Sequence, residues 1–221
     1  MINIFDEFNS FFYENGFYLT SQPYRLGNIL SHYEIYKKIL DLPGLVLEAG
    51  VFKGGSLIQW ATFRELLENE NSRKIVGFDT FGTFPNPTTV QSDKTFVEKW
   101  NNQFANEFVS KEEIEQSLSL KGTGNVQLIQ GDIRITLPQF IQQNPALRIA
   151  LLHIDTDVYE PCKVTLETCW DKIVHGGIIL FDDYATIEGE TLAVDEFFYG
   201  KSYKIQKLPL SHEKPSFIVK E

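Results

Sequence analysis

The sequence predicts an α/β fold in which a mostly parallel, seven-stranded sheet carries helices on both faces. From about Leu45 onward, short apolar runs alternate with amphipathic segments, which is the pattern of parallel strands joined by crossover helices. The run at 148–154 is almost continuously apolar, as is typical of a central strand covered on both faces. Two short runs near 204–207 and 216–219 could close the sheet as an antiparallel pair.

Each element of this alternation has its own signal. The predicted strands lie at 45–48, 74–79, 126–130, 148–154 and 178–181. The predicted helices lie at 56–67, 161–170 and 191–198. The first helix places Leu57, Ile58 and Ala61 on or near one face, and Pro161 stands in the first turn of the second, where proline is favoured. The chain has 221 residues, enough for one substantial core, so we expect a single domain over 1–221.

Two regions do not follow the alternation. Residues 1–43 are aromatic-rich and helical in pattern, which predicts an N-terminal helical cover. Residues 80–125 are far more than a crossover needs, and long insertions in compact domains are often lids or binding loops. The apolar residues of this insertion include Phe81, Phe84, Pro85, Phe96, Trp100, Phe104 and Phe108. They suggest an aromatic, lid-like cover, and a helical insertion with its own small core is the open alternative.

Composition restricts the class of partner. The chain has 20 basic and 30 acidic residues and a formal charge of −10, which argues against a nucleic-acid partner because such a partner favours a basic face. The N-terminus lacks the pattern of a signal peptide, and no segment is long and apolar enough to span a membrane. Cys162 and Cys169 lie seven residues apart on a predicted helix, about 10 Å along its axis, which is too far for a disulfide. We therefore expect a cytoplasmic protein with reduced cysteines and no membrane contact.

Four acidic residues follow two of the predicted strands. Asp155 and Asp157 come after the fourth strand, and Asp182 and Asp183 come after the fifth. Because the carboxyl ends of parallel strands meet at one edge of a sheet, these carboxylates should gather there and repel one another. A divalent cation with hard oxygen ligands, such as magnesium, manganese or calcium, would remove the repulsion. His153 lies inside the apolar strand itself, and we interpret it as a core histidine and not as a ligand.

The segment that joins the first strand to its helix is rich in glycine. A dinucleotide-binding loop would carry a glycine where this chain has Phe52, and the phosphate-binding G-K-[ST] pattern does not occur in the sequence. Glu48, Gly50 and Gly54 instead form the acid–glycine–glycine pattern of loops that bind S-adenosylmethionine (SAM). An ordinary strand-to-helix turn is the alternative.

Acids also follow the second and third strands. In Rossmann-type folds, an acid at the position of Asp79 hydrogen-bonds ribose hydroxyls. Asp132, which follows Gly131, is placed to reach the amino group of an adenine. Either acid alone could be a helix N-cap, but three successive strands with such endings form a more specific set.

Together, these motifs resemble the macrocin O-methyltransferase family of class I, SAM-dependent and metal-dependent methyltransferases, which act on sugar hydroxyls in antibiotics and other glycosides. The resemblance extends from about Gly44 to Phe198. The segments that carry it are 48–56, 77–85, 152–159, 176–184 and 193–198. The resemblance implies a Rossmann-like fold whose acceptor pocket is shaped by the N-terminal residues and the insertion.

The resemblance also implies a function and a set of site residues. The function is magnesium-dependent methylation of a hydroxyl on a sugar or glycosylated small molecule, with SAM as the donor. The residues expected to bind SAM are Glu48, Gly50, Phe52, Gly55, Ser56, Asp79, Thr80, Phe81, Gly131, Asp132, Ile133 and Asp155. The residues expected to bind the metal are Asp155, Asp182 and Asp183, and Asp157 is the expected general base. The expected partner is a sugar or glycoside acceptor, and a homo-oligomer is compatible with this assignment.

Two functions from other classes stay open at this point. Asp155-Thr156-Asp157 is also a D-x-D triplet, which in many glycosyltransferases holds a metal and a nucleotide-sugar diphosphate. A non-catalytic SAM-binding or interaction protein is the other alternative.

Overall fold

One seven-stranded sheet organises the chain, whose computed structural model describes residues 7–86, 89–104, 107–211 and 215–221. The strands are β1 (Leu45–Ala49), β2 (Ile75–Asp79), β3 (Val126–Gln130), β4 (Ile149–Ile154), β5 (Ile173–Phe181), β6 (Gln206–Lys207) and β7 (Ser216–Val219). Their order in the sheet is β3-β2-β1-β4-β5-β7-β6. Strands β1 to β5 run parallel to one another, whereas β7 runs antiparallel to its neighbours β5 and β6. The predicted mostly parallel sheet of seven strands is therefore confirmed.

Helices cover both faces of this sheet, as predicted. They are α1 (Ser10–Thr20), α2 (Pro23–Lys37), α3 (Gly55–Leu67), α4 (Gln91–Phe104), α5 (Lys111–Leu120), α6 (Ile133–Gln143), α7 (Tyr159–Cys169) and α8 (Glu188–Phe198). One hydrophobic cluster joins one face of the sheet to α6, α7 and α8. A second cluster joins the opposite face to α2, α3 and α5. The core thus forms two apolar layers separated by the sheet.

The chain order reverses at the centre of the sheet, where β1 lies between β2 and β4. Ligands of open α/β sheets bind in the crevice outside the carboxyl ends of the strands at such a point. Backbone hydrogen bonds extend beyond the strands here, because the Gly50 N–H donates to Phe78, the Asp155 N–H to Ala49 and the Asp182 N–H to Ile154. The loops that follow β1, β4 and β5 are therefore held rigidly beside one another.

Several predicted boundaries differ from the structure. β5 begins at Ile173 and not at 178, because the sheet continues through Gly176, whose φ of +80° would otherwise mark a turn. α8 begins at Glu188, three residues before the predicted start. β6 keeps only Gln206–Lys207 of the predicted 204–207.

The N-terminal helices contribute unequally to the fold. α2 buries one face against the sheet and α3 through residues that include His32, Ile35 and Tyr36. α1 buries no side chain. The predicted N-terminal cover is therefore provided by α2.

Both cysteines of the sequence are buried in α7 and unpaired, as predicted. Among the described residues, no helix combines the length and the apolar character that crossing a bilayer would require.

A buried ion pair joins the residue after α3, Glu68, to Arg73, which lies just before β2. Arg73 is 6% exposed and donates to both carboxylate oxygens of Glu68 at 2.8 Å. The same guanidinium donates to the carbonyl oxygens of Ile39 and Gly44, so it also ties down the chain before β1.

We expect Arg73→Met to lower the free energy of unfolding by about 3–5 kcal/mol, because it leaves a carboxylate and several carbonyls buried without their donor. Urea denaturation measures the effect. Lys37→Met is the matched control, since Lys37 forms an exposed pair with Glu34 that should contribute only about 0–1 kcal/mol. Equal losses in the two variants would contradict the structural role assigned to Arg73.

Candidate functional site

A cavity of about 780 Å³ lies at the carboxyl edge of the sheet. This volume is within the range of small-molecule sites. Its walls come from the loops after β1 to β5, from α2 and from the insertion between β2 and β3. The predicted site residues that line it are Gly50, Phe52, Gly55, Ser56, Asp79, Thr80, Gly131, Asp132, Ile133, Asp155, Asp157, Asp182 and Asp183. The structure therefore brings together residues from five separate segments of the sequence.

The glycine-rich loop is built around backbone conformations that side chains disfavour. Gly50 has φ +90°, and a Cβ at this position would collide with the carbonyl oxygen of Asp155. Gly54 has φ +84°, and Phe52 itself has φ +49°. The Asp79 carboxylate holds the loop in place by accepting hydrogen bonds from the backbone N–H groups of Val51 and Phe52 at 2.8 and 2.9 Å. Asp79 thus shapes the loop in addition to facing the cavity.

Substitution at Gly50 should therefore damage the fold around the loop. We expect Gly50→Ala to lower stability by more than the ~1–2 kcal/mol that positive φ alone costs, because the new methyl group also displaces the loop after β4. Gly55→Ala is the matched control, since a Cβ there meets nothing within 4 Å and alanine is the better helix former. Thermal unfolding of both variants tests this expectation, and an unchanged Gly50→Ala protein would contradict the close approach of the two loops.

Two residues that were predicted to bind the cofactor, Glu48 and Phe81, lie behind the cavity wall. Glu48 is fully buried and accepts a hydrogen bond from the Ser56 hydroxyl, so it braces the start of α3 against β1. Phe81 packs into the hydrophobic cluster beneath the loop. Neither residue is among those that line the cavity.

At the opposite end of the cavity, Asp132 caps the start of α6. Its carboxylate accepts from the Arg134 backbone N–H at 3.0 Å and forms an ion pair with the guanidinium of the same residue. Burial acts to raise the pKa of Asp132, but the hydrogen bonds from Arg134 outweigh it, so the pKa is lowered. The cap function that the sequence left open is real, and the residue also lines the cavity.

The acidic cluster is the most strongly charged part of the cavity. One carboxylate oxygen from each of Asp155, Asp157 and Asp183 lies within 4.8 Å of the other two. Burial and the neighbouring charges of Asp182, Asp157 and Asp183 raise the pKa of Asp155 well above its usual range. A divalent cation that binds oxygen ligands fits this set, because it would favour the ionised carboxylates that repel one another without it.

A fifth carboxylate supports this cluster from α8. Glu190 is fully buried and accepts from the Asp183 backbone N–H at 2.9 Å, while its own N–H donates to the carbonyl oxygen of Asp157. Burial and the charge of Asp183 raise the pKa of Glu190 well above its usual range. The sequence analysis missed this residue, because an acid in the first turn of a helix is ordinarily a solvent-exposed partner of the helix dipole.

The insertion between β2 and β3 supplies an aromatic wall, as its composition suggested. Phe84, Phe96, Trp100 and Phe104 line the cavity, and their rings contact one another and Phe52. The insertion is also fixed at its base. Asp93 of α4 is 1% exposed and accepts from the Tyr159 N–H at 2.8 Å, so it caps α7 from another element. The aromatic residues of the insertion from Phe84 to Phe104 therefore belong to the cavity wall, whereas α5 packs into the hydrophobic core.

α2 closes the cavity with a polar stripe that the sequence analysis also missed. Arg25, Asn28 and His32 line the wall, and Gln59 of α3 joins them. Their spacing of three and four residues along α2 was the available signal, because it places three polar side chains on one face of the helix. Burial, together with the charge of His153, lowers the pKa of His32 to about 3, so this imidazole is neutral.

Sheet order, loop and acidic cluster together define a class I methyltransferase-like fold with a SAM-type loop. The family comparison is decisive on the class: residues 25–210 match the model of the family described as macrocin O-methyltransferase (TylF). The chain belongs to this family.

Named relatives agree with this membership. An 8-demethyl-8-(2,3-dimethoxy-alpha-L-rhamnosyl)-tetracenomycin-C 4'-O-methyltransferase of Streptomyces olivaceus is 28% identical over 154 residues, which are 65% of this chain and 54% of the relative. A demethyldecarbamoylnovobiocin O-methyltransferase of Streptomyces niveus is 28% identical over 169 residues, or 71% of this chain and 59% of the relative. The chain thus spans between half and three fifths of the length of these curated relatives.

The calicheamicin methyltransferase CalS11 gives the structural comparison. Its crystal structure superimposes with a TM-score of 0.71 at 26% identity, covering 93% of this chain and 83% of CalS11. A second structure of CalS11, described there as a TDP-rhamnose 3'-O-methyltransferase, gives a TM-score of 0.68 at 27% identity, covering 93% and 84%.

Proposed function

We propose that this protein transfers a methyl group from SAM to a hydroxyl of a sugar or glycosylated small molecule, with a divalent cation, magnesium, as an essential cofactor. The observation that carries the proposal is that a SAM-type loop and a cluster of carboxylates line one continuous cavity. A loop of this kind alone would support only SAM binding, and an acidic cluster alone would support only metal binding. Their combination favours metal-assisted O-methylation.

The methyl donor is assigned to the side of the cavity formed by β1, β2 and β3. Gly50, Gly55 and Ser56 would contact the methionine part, and the free N–H groups at the start of α3 suit its carboxylate. Asp79 and Thr80 would hold the ribose, and Asp132 with Ile133 would lie at the adenine. Asp155 lines the same cavity and is assigned both to SAM and to the cation.

The cation is assigned to Asp155, Asp182 and Asp183, and the role of general base to Asp157. When bound, the cation lowers the pKa of a nearby hydroxyl, and SAM supplies an electrophilic methyl group. The residues of the chain position the acceptor oxygen and remove its proton, because a sugar hydroxyl is a poor nucleophile while it stays protonated. Asp157 suits this last step since it lies beside Asp155 and Asp183 and faces the cavity.

The acceptor is assigned to the side of the cavity formed by α2, the aromatic wall and the acidic cluster. One relative is named for a rhamnosyl-tetracenomycin, another for demethyldecarbamoylnovobiocin, and CalS11 for TDP-rhamnose; these names support a sugar-bearing acceptor as the class. An aromatic wall also suits a sugar ring or an apolar aglycone, since both present apolar faces.

Isothermal calorimetry separates this proposal from the glycosyltransferase alternative. We expect S-adenosylhomocysteine to bind and UDP-sugars not to bind. Tight binding of a UDP-sugar, with no heat from SAM or S-adenosylhomocysteine, would refute methyl transfer. A mass-spectrometric screen with TDP-rhamnose and rhamnosylated glycosides, read as the mass gain of one methyl group in place of hydrogen, then identifies the acceptor.

A further inference from the structure

A group of buried polar side chains lies beneath α2 and α3, next to the acidic cluster. It consists of His32, Trp60, His153 and Glu48, each 2% exposed or less. The rings of His32 and His153 lie 5.3 Å apart, and both contact Trp60. The strand register explains the grouping, because Glu48 of β1 pairs with His153 of β4 and the two side chains share the face that α2 and α3 cover.

Among the residues that the structure describes, several polar atoms of this group have no hydrogen-bond partner. They are His32 Nε2, both ring nitrogens of His153, Glu48 Oε2 and Trp60 Nε1. A buried polar atom without a hydrogen-bond partner is destabilising, so several together on neighbouring side chains indicate that a ligand belongs between them. The interpretation of His153 as a plain core histidine does not account for both of its nitrogens.

His32 is oriented as metal-binding histidines usually are, and His153 lies beside it. His32 Nδ1 lies 2.8 Å from Gln59 Oε1, so Nδ1 donates and Nε2 keeps its lone pair. His153 Nδ1 lies 3.9 Å from Glu48 Oε1, on the side of a carboxylate. One nitrogen from each ring and one carboxylate oxygen of Asp182 all lie within 4.8 Å of one another. A histidine that ligates a metal commonly has an oxygen partner on its other nitrogen, as His32 has, whereas the 3.9 Å between His153 Nδ1 and Glu48 Oε1 is too long for a hydrogen bond.

We propose that His32, His153 and Asp182 form a second cation site, which takes a borderline transition metal such as Zn²⁺ or Co²⁺ and shares Asp182 with the proposed magnesium site. Imidazole nitrogen suits these metals, whereas the all-carboxylate set of the proposed catalytic site suits magnesium. The surrounding carboxylates, which include Glu48 and Asp155, further favour a positive ion. The site joins α2 to the ends of β4 and β5, so the bound metal fastens the N-terminal cover over the cavity.

Titration of metal-free protein with Co²⁺, in excess Mg²⁺ to fill the all-carboxylate site, tests the proposal without any assay of activity. We expect one equivalent of Co²⁺ to bind with the visible absorption of a nitrogen-ligated ion and to raise the melting temperature. Gln59→Ala should weaken this binding by about 10–100-fold, because it removes the partner that orients His32. His32→Gln should abolish it, whereas His175→Ala, a change at an exposed histidine of β5, should leave it intact.

Two results would overturn the proposal. One is Co²⁺ binding of unchanged affinity in His32→Gln, which would place the ion on carboxylates alone. The other is the absence of nitrogen-ligated Co²⁺ in the unaltered protein, which would mean that internal water, and not a metal, satisfies the buried polar atoms. X-ray absorption of the zinc-loaded protein at the zinc edge gives a second, independent measurement of the ligands, since imidazole and oxygen ligands scatter differently. Circular dichroism of His32→Gln separates lost binding from lost folding, and Gln59→Ala provides the test if that variant does not fold.

Discussion

Replacement of Asp157 by Asn is expected to lower kcat by about 10²–10⁴-fold, the usual contribution of a positioned general base. Asn has nearly the same size, and it tolerates the left-handed backbone that Asp157 adopts at φ +59°. The change therefore removes a proton acceptor while the loop after β4 keeps its shape. Calorimetry should show S-adenosylhomocysteine binding within a few-fold of that of the unaltered protein, and turnover is measured with an acceptor found in the screen.

The position of Asp157 beside Asp155 and Asp183 also allows a different role, as a ligand of the metal. The two roles give different results. If Asp157 is the base, excess magnesium will not restore turnover; if it is a ligand, magnesium affinity will fall and excess magnesium will restore part of the rate. Asp171→Asn, at an exposed acid outside the cavity, is the control and should change neither. Full turnover in Asp157→Asn would rule out Asp157 as the general base.

Asp155→Asn is expected to affect activity and stability in opposite directions. Activity should fall by about 10²-fold or more, because a ligand of the cation is lost and the cation contributes several kcal/mol. The metal-free protein should instead become more stable, since the variant removes a charge from the centre of a repulsive cluster. A gain of about 1 kcal/mol would raise the melting temperature by roughly 2–4 °C in a chain of this size.

The pH dependence of stability tests the same cluster. The pKa of Asp155 is raised above its ordinary value of 3.8, so the folded protein binds this proton more tightly than the unfolded chain does. Stability of the metal-free protein should therefore decline as pH rises from about 4 through the raised pKa. Asp155→Asn should flatten this decline, and magnesium should stabilise the unaltered protein more at high pH than at low pH. EDTA should abolish turnover and magnesium restore it; full activity in EDTA would remove the catalytic role of the metal.

The sheet could be predicted because its central strands β1, β2 and β4 are short apolar runs buried on both faces. The less buried edge strand β3 was also placed at its true bounds, Val126–Gln130. Boundaries failed where tertiary pairing overrides a local signal. The Gly176-Gly177 pair is typical of a turn, but the N–H of Gly176 donates to Lys220 of the chain's last segment, which keeps β5 in the sheet.

The acidic residues of the site could be predicted because they directly follow strands that end at one edge. His32, Gln59 and Glu190 could not be predicted in this way, since each lies within a helix and reaches the site only through the way that helix packs. Their roles depend on contacts far apart in sequence, such as the one between His32 and His153. Local patterns contain no information about such contacts.

The hydrogen bond from Tyr159 to Asp93 has a consequence for engineering. It joins the aromatic wall to a residue only two positions after Asp157, so the wall and the loop that carries the proposed base form one mechanical unit. A chimaera that exchanges residues 80–125 to change acceptor preference would remove the cap of α7 unless the new segment supplies an acid in the place of Asp93. Redesign of specificity should therefore keep that anchor and vary only the aromatic residues beyond it.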